Sequence, residues 1–534
     1  MAFNIADLFE HVAELVPERT ALVVGDRRLT YDELDQRANR LAHHLVDHGL
    51  GAGDHVGVYA YNCPEFMESL LAIYKIRGVA INVNYRYVEE ELAYLFDNAD
   101  LSGLVHQRQF APLVANVLPR CPELRHAVVV DDGSDADFAS YGGVAYEDAL
   151  AASSPERDFE ARSDDDLYIV YTGGTTGMPK GVMWRHEDVF RTLGGGIDFV
   201  TREVIPDDWT LAKRALDNEP GVSLPIAPLM HGAAQWGVFN GLFSGNTVVL
   251  VRKFDPDEVW RTVERERVNI IAITGDAMAR PLVEALAEHS YDASSVFAIS
   301  SSAAIFSPSV KDQFLDLLPN VFITDAVGAS ETGFSGLTMV QKGTEQRGGG
   351  PTVTMGPDTI VLGDDGKPVE PGSGVIGRMA RTGNVPIGYY KDPEKTAATF
   401  VEYDGRRYAI PGDFATIEAD GTMTLLGRGA VCINSGGEKI FPEEVETALK
   451  SHPDVFDCLV VGVPDERWGQ RVAALVQPRP GRVPTLEDLQ AHARTLVAGY
   501  KVPRELHLVD QVERQPSGKP NYPWAQQYAL DRQG

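Results

Sequence analysis

The stretch that most constrains this chain is Tyr171-Thr-Gly-Gly-Thr-Thr-Gly-Met-Pro-Lys-Gly-Val182. It follows Leu167–Tyr171, an apolar run that reads as a strand. Gly173, Gly174, Gly177 and Gly181 remove side-chain bulk, so the backbone can bend sharply and come close to a ligand. Thr172, Thr175 and Thr176 add hydroxyl donors, and Lys180 adds a cation. Peptide N–H groups, hydroxyls and a lysine together make a cradle for phosphate oxygens. A Walker loop would end in Gly-Lys-Ser/Thr, whereas Lys180 stands between Pro179 and Gly181. A glycine-rich turn without a ligand is the plainer reading. Four glycines, three threonines and a Pro-Lys-Gly end in one loop favour phosphate binding over it.

The rest of the chain supplies an α/β frame for this loop. Its 534 residues exceed what one core organises, so at least two domains are expected. Ile5–Leu15 reads as an amphipathic helix, and Ala21–Leu29 as a hairpin. Thr30 and Glu33 fit a capping box that opens a helix over Tyr31–His48. Val56–Tyr59, a helix Pro64–Arg77 capped by Asn62, and Val79–Val83 follow in βαβ rhythm. Further strands are expected at His126–Val130, Val248–Arg252, Ile270–Ile273 and Val296–Ser300, with helices at Pro256–Arg267 and Ala277–Glu288. The last hundred or so residues alternate short strands with helices at Pro442–Ser451 and Leu486–Val497, a small α+β domain.

Composition removes several function classes. The formal net charge is −29 and no basic run appears, which argues against a nucleic-acid partner. Cys63, Cys121, Cys432 and Cys458 are scattered without metal-ligand spacing and read as reduced thiols. No uncharged apolar run is long enough to cross a membrane and no signal peptide opens the chain, so a cytoplasmic protein is expected, with a homo-oligomer left open.

Taken with the phosphate loop, the later motifs resemble those of the adenylate-forming superfamily: acyl-CoA synthetases, luciferases and adenylation domains. The loop matches Thr-Ser-Gly-Thr-Thr-Gly-x-Pro-Lys-Gly with Gly173 at the serine. Leu224–Trp236 resembles the segment in which a histidine near the acyl carboxylate precedes a pocket-lining helix, which implicates His231, Gly232, Trp236 and Gly237. Ser300–Pro308 stands at the place of the family's adenine-side loop, and the resemblance implies that Ser302, Ala303 and Ala304 lie against the base. Asp325-Ala-Val-Gly-Ala-Ser-Glu331 resembles Tyr-Gly-x-Thr-Glu, so Asp325, Ala326, Val327, Gly328, Ala329 and Ser330 line the nucleotide and Glu331 holds Mg²⁺. A hard dication suits a single carboxylate and retained water. Asp413 follows Pro411-Gly and is assigned to the ribose hydroxyls. Arg428 marks the junction of an N-terminal adenylation domain, 1–427, with a C-terminal domain, 428–534, hinged near 427–430, where Ala430 replaces the usual Asp or Lys. Gly436 and Gly437 lie in a stretch that resembles the family's glycine loop beside the pantetheine of CoA. Pro-Ser-Gly-Lys519 resembles the family's Pro-x-Gly-Lys, which implies that Lys519 is the lysine that reaches the nascent adenylate.

The resemblance implies a large multi-sheet α/β N-terminal domain with a small mobile α+β C-terminal domain. It also implies an AMP-forming acid–thiol ligase, with Lys519, Thr175, Glu331 and His231 as catalytic residues. ATP, Mg²⁺ and CoA are its cofactors and co-substrates. The carboxylic acid is a fatty acid or a sterol side chain, as in bacterial ligases of those classes. Two alternatives stand beside it: an adenylating enzyme that loads a carrier protein, and a non-catalytic acyl- or nucleotide-binding protein of the same fold. Activity with free CoA separates the first, and retention of Lys180, Glu331, Asp413, Arg428 and Lys519 weighs against the second.

Overall fold

A computed structural model describes residues 3–174, 177–197, 203–344, 351–435, 438–465, 468–515 and 518–532. The chain divides into two compact units, Met1–Ala272 with Asn384–Ala398, and Ile273–Gly383 with Thr399–Gly534. The proposed domain boundary at 427/428 falls within the second.

The first unit contains an eight-stranded sheet. Its spatial order is Gly388–Tyr389, Gly177–Arg185, Leu167–Gly174, Val79–Asn82, His55–Tyr59, Leu101–Gln107, His126–Val130 and Val144–Ala145. The strands from Leu167–Gly174 to Val144–Ala145 pair in parallel. Such a sheet is covered on both faces, and its inner strands are enclosed accordingly: His55–Tyr59 and His126–Val130 are buried at every position. The same unit carries Thr20–Val24 paired with Arg27–Thr30 and, in parallel, with Thr247–Leu250.

Local chemistry explains most helix starts. Asn4 caps Ile5–Leu15 by accepting from the Ala6 N–H. Thr30 and Glu33 form the expected capping box on Tyr31–Asp47. Pro256 opens Pro256–Glu266 behind an Asp255 cap. The expected cap at Asn62 is not made. Cys63 is the cap residue of Pro64–Lys75, with no side-chain bond. The Asn62 amide is drawn instead to tertiary partners, donating to the carbonyls of Ala227 and Val251 and accepting from the Leu229 N–H at 2.8 Å.

In the second unit, Ala298–Ser302 runs parallel to Phe322–Ala329, which turns back antiparallel into Gly333–Val340. The C-terminal portion is a five-stranded sheet of Glu438–Ile440, Ile433–Ser435, Gly469–Pro478, Val455–Asp465 and Glu505–Leu508. Pro442–Lys450 and Leu486–Ala493 share one apolar core with it, and Tyr522–Leu530 shares another. Among the described residues, no helix is long and apolar enough to cross a membrane.

Candidate functional site

The glycine-rich stretch is a β-hairpin, where the sequence suggested a strand followed by a loop. Leu167–Gly174 pairs antiparallel with Gly177–Arg185, with Thr172 opposite Lys180 and Gly174 opposite Gly177. Thr172 and Lys180 therefore share a face of the ribbon. Gly181 lies under Tyr171: a Cβ there would stand 2.7 Å from the Tyr171 ring and 2.9 Å from Ile169, so only glycine fits. Thr175 and Thr176 at the tip lie outside the described residues, as do Gly436 and Gly437. Lys180 is ion-paired to Asp392, and that hydrogen bond holds the Asp392 carboxyl below its usual range.

Sequence reading missed the residue that anchors this hairpin. The parallel ladder between Val79–Asn82 and Leu167–Gly174 has a single register pair, Ile81 with Ile169. Beyond it the Asn82 side chain takes the place of a peptide. It accepts from the Tyr171 N–H at 2.7 Å and donates to the Tyr171 carbonyl at 2.8 Å and the Met230 carbonyl at 2.6 Å. Met230 precedes His231, so one buried amide joins the glycine hairpin to the histidine segment. An apolar-pattern search has no signal for such a residue, because its role depends on partners far along the chain.

His231 is the residue before the helix Gly232–Phe243, and its N–H donates to the Pro228 carbonyl. A Cβ on Gly232 would meet Val170 at 3.2 Å, and one on Gly237 would meet Pro225 at 3.4 Å. Gly232 thus lets the helix start lie close to the strand Leu167–Gly174, whereas the contact at Gly237 is an ordinary one. Trp236 is 3% exposed, edge-on to Tyr168 at 5.7 Å and tilted against Phe239 at 5.4 Å. These residues, with Thr172, Gly173, Gly174, Gly177 and Lys180, belong to the first unit.

The remaining candidates belong to the second. Ala303, one residue past Ala298–Ser302, has φ +67°, a left-handed backbone in a residue with a Cβ. The Ala304–Ile305 backbone lies against Gly275, where an added Cβ would approach the Ile305 carbonyl to 2.4 Å. Asp325–Ala329 forms the end of a strand, and Ser330, Glu331 and Thr332 make the turn into Gly333–Val340. Thr332 Oγ1 accepts from the Ala329 N–H and fixes the turn. Gly328 is obligatory, since a Cβ would come within 2.1 Å of the Gly333 carbonyl. Glu331 is half-buried at this tip, with a hard oxygen donor set of the kind Mg²⁺ prefers. The Asp325 carboxylate accepts from Lys311 Nζ at 2.7 Å; burial raises it above its usual range against the pull of that lysine. Asp413 begins a strand in register with Arg428. Gly429 is packed against Phe414, 2.5 Å from where its Cβ would lie.

Lys519 is exposed and closes a tight turn in which its carbonyl accepts from the Gln515 N–H at 2.8 Å. Arg514 braces that turn, donating to the Gly518 carbonyl at 3.0 Å. Asp457 holds Arg514 with two bonds of 2.7 Å. Burial opposes the charge on Arg514, but Asp457 more than offsets it and keeps the guanidinium above its ordinary range. Asp457 in turn lies well below the carboxylate range despite its burial, because Arg514 and Lys450 face it. Gly518, at φ +77°, rests on Thr274, whose Oγ1 is 3.0 Å from the position of an added Cβ.

Residues 9–390 match the AMP-binding enzyme family and residues 444–519 the AMP-binding enzyme C-terminal domain. The chain is 59% identical over 531 residues to a 3-oxocholest-4-en-26-oate–CoA ligase of Rhodococcus rhodochrous, covering 98% of this chain and 96% of the relative. It is 57% identical over 532 residues to a medium/long-chain-fatty-acid–CoA/3-oxocholest-4-en-26-oate–CoA ligase of Mycobacterium marinum, covering 99% and 96%. The fold is similar to that of ATP-bound MatB from Rhodopseudomonas palustris, with TM-score 0.82 at 23% identity over 99% of both chains.

Proposed function

The chain belongs to the AMP-binding enzyme family, and from that membership we propose that it activates a bulky apolar carboxylic acid, a sterol side chain or a medium- to long-chain fatty acid, and passes it to CoA. It is an AMP-forming acid–thiol ligase, and ATP and CoA follow from the family and from the named ligase relatives. In the first half-reaction a carboxylate oxygen attacks the α-phosphorus of ATP and pyrophosphate leaves. In the second the CoA thiolate attacks the acyl carbonyl and AMP leaves.

One observation carries the reading. The hairpin register sets Thr172 opposite Lys180 and Gly174 opposite Gly177, and Asn82 ties that ribbon to the carbonyl before His231. In our assignment the hairpin and Lys180 hold the phosphates, Asp413 the ribose, and Ser302–Ala304 and Asp325–Ser330 the base. The segment from His231 through Gly237 borders the acyl group. Lys519 orients and neutralises the reacting phosphate, and Arg428 and the Gly436-Gly437 loop serve the domain junction and pantetheine. Glu331 would hold Mg²⁺, which supplies charge neutralisation on the triphosphate. Work of this kind is alignment and screening of crowded negative charge rather than covalent catalysis by the protein. Trp236 and its aromatic neighbours support an apolar substrate. We place the enzyme in the cytoplasm, where its free thiols and both co-substrates fit.

Acid-dependent exchange of labelled pyrophosphate into ATP, measured across fatty acids of graded length and a 26-oic sterol acid, tests catalysis and substrate class together. Release of AMP on adding free CoA is the expected second step. Exchange without any turnover of free CoA would favour carrier-protein loading instead.

A further inference from the structure

Three histidines of the first unit have no part in the reading above. His44 lies in the last turn of Tyr31–Asp47, His48 is the residue at that helix end, and His126 opens the strand His126–Val130. One ring nitrogen from each lies within 4.8 Å of the others. His44 Nε2 and His126 Nε2 are 2.9 Å apart. The His48 ring stacks on His126 at 4.1 Å and 20° and tilts against His44 at 4.2 Å.

We propose that His44, His48 and His126 form a binding site for one divalent transition-metal ion of the zinc class. A tetrahedral ion with Zn–N bonds of about 2.0–2.1 Å sets its nitrogens about 3.3–3.4 Å apart. The 2.9 Å pair opens slightly to reach that spacing, and the exposed His48 ring turns off its stack on His126 so that its in-plane lone pair points at the ion. The i, i+4 separation of His44 and His48 puts both rings on one helix face. His48 Nδ1 is 2.7 Å from the His44 carbonyl. An N–H there donates to that carbonyl, which leaves the Nε2 lone pair of His48 for a metal, the orientation that outer hydrogen bonds impose on ligating histidines. Without a metal, His44 and His126 share one hydrogen between their Nε2 atoms. With one bound, each neutral imidazole carries its hydrogen on Nδ1 and presents Nε2. His44 is 6% and His126 9% exposed, while His48 faces solvent, so the fourth position belongs to water. An all-imidazole set suits zinc, cobalt, nickel or copper and disfavours Mg²⁺, which separates this site from the nucleotide metal. The ion would clip the end of Tyr31–Asp47 to the sheet, far from any residue in sequence that carries the ligase motifs.

The test uses the full-length, chelator-treated protein without ATP or CoA, titrated with Co²⁺ and then Zn²⁺. One equivalent of Co²⁺ should develop the strong visible absorption of a tetrahedral ion, Zn²⁺ should bleach it, and Zn²⁺ should raise the melting temperature. His48→Gln changes an exposed side chain and keeps the fold. It should weaken Zn²⁺ binding by at least about tenfold, and His126→Gln should do the same. The proposal is overturned if Co²⁺ yields only the weak spectrum of an octahedral ion, or if His48→Gln binds Zn²⁺ within about tenfold of wild type.

Discussion

Replacing Asn82 with Ala isolates the link between the glycine hairpin and the histidine segment. The side chain is 5% exposed and serves three backbone groups: the Tyr171 N–H, the Tyr171 carbonyl and the Met230 carbonyl. The strand ladder supplies no substitute, since its one register pair lies at Ile81 and Ile169. Each buried group left without a partner costs about 1–3 kcal/mol, and water entering the vacated space recovers part of it, so the local loss is roughly 3 kcal/mol. At about 1.4 kcal/mol per decade, local opening of residues 167–174 becomes about a hundredfold more frequent. Hydrogen–deuterium exchange read by mass spectrometry should show that loss of protection in peptides spanning 167–174, with little change in the C-terminal sheet. Pyrophosphate exchange should fall in parallel, since misplacing a phosphate ligand by about 1 Å can cost a hundredfold in rate. Asn82→Asp keeps the acceptor for the Tyr171 N–H but sets a carboxylate against two carbonyls, so it should be no better than Ala. Unchanged protection in Asn82→Ala would refute the idea that this amide holds the hairpin in place.

Four further outcomes are expected. Arg514→Met leaves the buried Asp457 carboxylate with Lys450, at 3.3 Å, in place of its two bonds to Arg514 and frees the Lys519 turn; losing one partner from such a buried group costs up to about 3–5 kcal/mol, and adenylation should drop more than thioester formation from supplied acyl-AMP. Lys519→Ala should slow adenylation by about 10²–10³ while sparing thioester formation, whereas Gly437→Trp should do the reverse; equal loss of both steps in both variants would rule out a C-terminal domain that turns about 427–430 between them. Trp236→Ala should change relative kcat/KM among acyl chains by about 1–3 kcal/mol per methylene accommodated, and an unaltered profile would put the acyl pocket elsewhere. Burial holds the fully enclosed His186 down to about 4, so the unfolded chain takes up the proton first as pH falls below the ordinary histidine value; its contribution is intact above that value and is lost on acidification, by about 2 kcal/mol at about pH 5, and a urea midpoint that does not fall between about pH 7 and about pH 5 would contradict it.

The elements most legible in the sequence are those with local causes. Ile5–Leu15, Ile270–Ile273 and His126–Val130 have the predicted bounds, because apolar period and flanking turn residues agree there. Thr30 and Glu33 announce their capping box within four residues. Elsewhere tertiary partners decide. Asn62 looks like a cap until the Leu229 N–H claims its oxygen. Leu101–Gln107 is interrupted by Ser102, Gly103 and His106 and hides its strand character, though burial between two parallel neighbours enforces it. The glycine stretch reads as a loop by composition, yet cross-strand pairing carries it on as a ribbon through Gly174. Among candidate site residues, motif order singled out Gly181, Gly328 and Lys519, whereas Asn82, Asp392 and Arg514 are held in contact by neighbours distant in the chain. In the histidine cluster His44 and His48 share a helical i, i+4 spacing, but His126 lies far along the chain and nothing in the sequence ties it to that pair.

The Lys180–Asp392 pair has a kinetic consequence on the proposed assignment. A triphosphate arriving at Lys180 exchanges one anion for another, so ground-state recognition gains only the difference between two half-exposed ion pairs, each worth about 0–1 kcal/mol. Lys180 then adds little to the hold on ATP before reaction. Its advantage grows when the departing pyrophosphate accumulates charge that a fixed aspartate cannot match, which is an interaction favouring the transition state over the bound substrate. Neutralising Lys180 should accordingly depress kcat while leaving the KM for ATP nearly where it was, and the aspartate acts as a counter-ion that keeps the lysine in position between turnovers.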